Sequence, residues 1–153
     1  MAGSSPAPVT TYATYDSDFF VWTQEQAALL RAGKFTEIDL QNLAEEIESL
    51  GRRDRRELRC RLRSLIAELL KWEAQAGARC GNWRSDILQQ RYEIELVLRD
   101  SPSLRGWDSH VLQEIYDGAR DRVIRELQLF DSAFPADCPY TPEQILSEDF
   151  LLE

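Results

Sequence analysis

LQNLAEEIESLGRRDRRELRCRLRSLIAELLKW, residues 40–72, decides the fold class of this chain. Its apolar residues fall into two stripes with the same stagger. Leu40, Leu43, Ile47 and Leu50 are spaced 3, 4, 3, and Leu58, Leu62, Leu65, Leu69 and Trp72 are spaced 4, 3, 4, 3. Each stripe repeats every seven residues, the period of a seam between two packed helices. With Gly51 read as a stop between them, the stretch predicts an antiparallel helical hairpin over about 39–76, the spine of the molecule. Asp54 and Glu57 carry the D-x-x-E spacing of a capping box, which places the start of the second arm there.

The remaining elements follow from their punctuation. Asp16 or Asp18 can cap a first helix that runs to about Ala32, where Gly33 supplies a left-handed stop. A helix after Asn82 carries Trp83, Ile87, Ile94, Val97 and Leu98 and ends before Asp100. Ser101-Pro102 then opens a helix bearing Leu112, Tyr116, Ala119, Val123, Leu127 and Phe130, irregular near Gly106. TPEQ at 141–144 predicts a short terminal helix with Thr141 as its cap. No segment alternates with period 2 for the length of a strand. The expectation is an all-α, single-domain bundle of five main helices and a short C-terminal one over 15–153, preceded by a flexible tail at 1–14.

Charge narrows the function classes. The 153 residues hold 18 basic and 27 acidic side chains, a net of −9, yet Arg52, Arg53, Arg55, Arg56, Arg59, Arg61 and Arg63 cluster in one stretch. A nucleic-acid binder needs a surplus of positive potential, and only this one patch could provide it. Cys60, Cys80 and Cys138 have no CxxC spacing and read as free thiols of a reducing compartment. The N-terminus lacks the basic and apolar regions of a signal peptide, and no run is long and apolar enough to span a membrane. A cytoplasmic protein with no membrane partner is expected.

YDSDFFVWTQEQAALLRAG at 15–33, DLQNLAEEIESLGRRDRRELRCRL at 39–62, LLKW at 69–72, RDSPSLR at 99–105 and FPADCPYTPEQIL at 134–146 resemble the bacterial family catalogued as domain of unknown function 29. The resemblance spans nearly the whole chain after the tail, and NLAEEIESLG with its following arginines is its most specific part. It implies a small all-α bacterial protein and brings no activity, cofactor or catalytic residue. One departure is visible: Ala76 stands after Gln75, where the family pattern has proline.

Three constellations could carry chemistry. Glu45 with Glu48, and Glu114 with Asp117, are acidic pairs at i, i+3; converging in a bundle, they could hold Mg²⁺ for attack on a nucleotide phosphate. They resemble the ExxE and ExxD pairs of all-α nucleotide pyrophosphohydrolases but are farther apart in sequence than that motif places them. The plainer reading pairs Glu45, Glu46 and Glu48 across the hairpin with Arg53, Arg55 and Arg56. Acid at a helix C-terminus and base near an N-terminus both oppose the helix dipole, so their proximity would offset a local cost. Arg52, Arg53, Arg55, Arg56 and Arg59 form a partner or phosphate patch, and with Trp72, Arg79, Trp83 and Arg84 they make the aromatic and basic mixture of single-stranded RNA binders. His110 is the only histidine and reads as a helix-surface residue. The function expected is a non-catalytic interaction module that binds a protein partner or a second copy. A Mg²⁺-dependent nucleotide hydrolase is the alternative, and RNA binding through the arginine patch comes third.

Overall fold

Two helices of this chain end at a left-handed residue, Gly33 and Gln128. In the computed structural model, which describes residues 12–150, the chain is all-helical, with α1 (Phe19–Arg31), α2 (Leu40–Ala74), α3 (Gly81–Asp100), α4 (Ser109–Leu127) and a short α5 (Pro142–Leu146). The tail expected over 1–14 lies outside the described residues up to position 11. Two compact units divide the chain, Met1–Gly51 and Arg52–Glu153.

The expected hairpin does not form. Leu40 to Ala74 is one helix of 35 residues, and among the described residues five α-helices stand where six were expected. A glycine ends a helix by adopting positive φ, and Gly33 does so at +70°. Gly51 does not: among the described residues, Gly33 is the only glycine with positive φ. A glycine that stays helical merely costs its helix about 1 kcal/mol relative to alanine. The capping box at Asp54 and Glu57 also goes unused, since the Glu57 carboxylate accepts from Arg61, one turn along the same helix. The acidic and arginine clusters therefore follow one another within α2 and cannot face each other across a turn.

In the N-terminal unit, Asp18 caps α1 by accepting from the Val21 N–H, and Gly33 closes it with a Lys34 N–H donated to the Leu29 carbonyl. The buried Gln26 side chain accepts from the Asp39 N–H at 2.8 Å, and Trp22 donates its indole N–H to the Asp39 carboxylate at 3.3 Å. Asp39 also accepts from the Asn42 side chain, which holds its carboxyl below the ordinary aspartate range. These bonds join α1 to the start of α2.

The C-terminal unit holds the large core. Leu58, Leu62, Leu65, Ile66, Leu69, Leu70 and Trp72 of α2 pack with Ile87, Ile94 and Leu98 of α3, Ile115, Tyr116 and Val123 of α4, and Ile145 of α5. The second stripe of the sequence is thus the core seam, with Leu62 and Leu65 fully buried. Arg91 is the one buried charge among the described residues, 3% exposed. Its guanidinium donates to the carbonyls of Ile145 (2.9 Å), Glu148 (3.1 Å) and Phe150 (3.0 Å), satisfying the end of α5 and the residues just beyond it. Thr141 and Gln144 form the expected capping box.

Two boundaries differ from expectation. Ser101-Pro102 opens only a 3₁₀ turn, Pro102–Arg105; α4 begins at Ser109 with Asp108 as its cap. It ends when Gln128 turns left-handed (φ 53°) and Leu129 donates to the Ile124 carbonyl, so Phe130 falls outside the helix and is exposed. Ala76 begins a 3₁₀ turn, Ala76–Ala78, that leads α2 out.

Continuity through Gly51 gives a signed prediction. A Cβ there would meet nothing within 4 Å. Gly51→Ala should stabilise the protein by about 1 kcal/mol, seen as a higher urea midpoint by circular dichroism. A left-handed Gly51 would make the same change destabilising.

Candidate functional site

The first apolar stripe of α2 is not part of the large core. Leu40 is 67% exposed, Ile47 62% and Leu50 56%, and on α1 Phe20 is 72% exposed. Of the ten large hydrophobic side chains exposed among the described residues, eight lie between Phe19 and Leu50. Within the N-terminal unit, α1 and α2 form an apolar groove of about 280 Å³, walled by Phe19, Ala27 and Leu30 on one side and Leu43, Ile47 and Leu50 on the other. Trp22 lies at its base, edge-on to Tyr15 and stacked at 5.8 Å with Phe19. Glu46 also lines the groove and accepts from the Tyr15 hydroxyl at 2.6 Å, which pushes the phenol's pKa up.

Its surroundings are acidic. Among residues 12–51, Asp16, Asp18, Glu25, Glu37, Asp39, Glu45, Glu46 and Glu48 stand against only Arg31 and Lys34, a net of −6. Nothing in the spacing of 40–50 distinguishes a stripe that packs inside from one that stays open. Only the mistaken stop at Gly51 supplied it with a cover.

The arginine stretch divides by face. Arg52, Arg56, Arg59 and Arg63 recur at i, i+4, i+7 and i+11, and with Arg55 and Cys60 they line one open basic surface. Arg53, included in the patch expected from sequence, is exposed but does not line that surface. Arg61 pairs with Glu57 at 2.9 Å and with Glu93 on α3. Arg59 pairs with Glu114 of α4 at 2.5 Å.

One carboxylate pair of the hydrolase reading, Glu114 and Asp117, has other partners. Glu114 is held by Arg59, with His110 Nδ1 3.8 Å away, and Asp117 accepts from the Gln113 side chain at 2.7 Å. Glu45 and Glu48 lie exposed on α2. Among the described residues no three His, Cys, Asp or Glu side chains gather as metal ligands. Trp72, Arg79 and Trp83 of the RNA reading are engaged too, while Arg84 is exposed. Trp72 is buried edge-on against Trp83, Arg79 lies over its ring at 5.1 Å, and Trp83 donates to Glu68 at 2.8 Å. His110 is a surface residue, and the three cysteines are free.

Glu114 supplies a pH test of the α2–α4 contact. The hydrogen bond from Arg59 holds its carboxyl below the ordinary glutamate range. A depressed folded-state pKa contributes stability that is present above the unfolded value, about 4.3, and is lost as pH falls. Arg59→Gln should raise the Glu114 pKa toward that value in a carboxyl ¹³C NMR titration. The stability difference between variant and wild type, small because the pair is exposed, should shrink below about pH 4.

Neither a curated protein nor a solved structure matches the chain. The family described as "Domain of unknown function DUF29" matches residues 14–151, nearly the whole chain and every helix described above, and the protein belongs to that family.

Proposed function

We propose that this protein is a non-catalytic helical interaction module whose N-terminal unit docks a basic amphipathic helix of a partner protein. The observation that carries the reading is the concentration of exposed apolar side chains on α1 and the first turns of α2. An apolar groove between two helices suits a third helix laid along it with anchors at i, i+3, i+4 and i+7. The net charge of −6 over residues 12–51 selects a partner of positive sign and disfavours two such faces meeting each other. The three free cysteines suit a reducing cytoplasm, and no helix among the described residues is long and apolar enough to cross a membrane.

The test is titration of the full chain with a designed helical peptide that carries leucines on one face flanked by lysines, beside a twin with glutamates for lysines. Saturable binding of the lysine peptide, weakening as sodium chloride is raised and lost in Ile47→Glu and Leu50→Glu, is the expected result. Equal binding of the glutamate twin, or undiminished binding by both variants, would overturn the reading. So would sedimentation of the wild type as a dimer that Ile47→Glu dissociates, which would make a second copy the occupant.

A further inference from the structure

Arg55, Leu58, Arg59 and Leu62 recur at i, i+3, i+4 and i+7 on α2, so one helix face carries two guanidinium groups outside and two leucines inside. Within the C-terminal unit this face borders a cavity of about 270 Å³. Ile115 and Val111 of α4 form its far wall, and Leu104 and Trp107, from the 3₁₀ turn and the segment after it, close one side. Trp107 spends its indole N–H on the Leu104 carbonyl at 2.6 Å, which leaves the ring as apolar lining. Arg59 is fixed by Glu114, whereas Arg55 is exposed and has no ion-pair partner among the described residues.

We propose that this cavity binds a small amphipathic oxyanion, with a short apolar chain or single ring inside and a carboxylate or phosphate on Arg55 and Arg59. Ligand sites are typically apolar hollows with a few placed polar groups, and drug-sized molecules occupy about 300–1,000 Å³, so this hollow suits something smaller. Guanidinium groups bind carboxylate and phosphate through paired N–H donors, which makes the head group an oxyanion. Glu114 holds Arg59, and Asp108 spends one carboxylate oxygen on the Val111 N–H at 2.8 Å, so Arg55 is the guanidinium left to meet a head group first. The site shares no residue with the groove of the N-terminal unit and stands or falls without it.

The experiment monitors the Trp107 indole and the Val111 and Ile115 methyl resonances of the full chain by NMR. The probes are hexyl phosphate, hexanoate, 1-hexanol and inorganic phosphate. Saturable shifts of those resonances by hexyl phosphate or hexanoate are expected, with hexanol and inorganic phosphate at least tenfold weaker; the tighter of the two amphiphiles identifies the head group. Arg55→Gln, a surface change that leaves the core intact, should weaken binding about tenfold, as should Val111→Phe by filling the hollow. Binding of hexanol as tight as that of the charged probes, no saturable shift with either amphiphile, or unchanged affinity in Arg55→Gln would each overturn the proposal. Should Val111→Phe fail to fold, Arg55→Gln decides the matter alone.

Discussion

The uninterrupted backbone of α2 is the constraint on which the rest depends. A chain reverses only where some residue leaves the right-handed helical region, and Gly51 stays within it. The second apolar stripe then packs with α3, α4 and α5, while Leu40, Ile47 and Leu50 remain open to solvent. Arg59 pairs with α4 and Arg61 with α3, while Arg53, Arg55 and Arg56, which a hairpin would set against Glu45, Glu46 and Glu48, lie exposed on the same helix.

Most of the architecture was legible because local chemistry and tertiary packing agree. Asp18 and Gly33 bound α1, Thr141-Pro142 opens α5, and the stripe from Leu58 to Trp72 lies in the core as its spacing requires. The error at Gly51 arose from treating a glycine as a stop when sequence shows only that it permits one. Two signals argued for continuity. Clusters of acid and base that would oppose the dipoles of two separate helices oppose nothing in the middle of one. Ile47 and Leu58, eleven residues apart, also project within about 20° of each other on a helix of 3.6 residues per turn.

The candidate sites were harder to read for a different reason. Periodicity identifies an apolar face but not what covers it, so the groove beside Ile47 and Leu50 looked like core. The cavity beside Arg55 and Arg59 needs Leu104 and Trp107, brought in by a turn that sequence assigned to the start of a helix. Arg91 gave no signal at all: its burial depends on carbonyls more than fifty positions away. The resulting chemistry is uneven along the chain. An acidic, apolar surface occupies the N-terminal unit, and a basic helix face over an apolar hollow belongs to the C-terminal one.

Backbone NMR across Ser49–Arg56 tests the continuity of α2 most directly. One helix predicts helical ¹³Cα secondary shifts at every position from 49 to 56 and amide protons at Gly51, Arg52 and Arg53 that exchange slowly relative to an unstructured chain. Coil shifts with rapid exchange at those three residues would show a turn there, and would contradict both the single helix and the open apolar groove read from it.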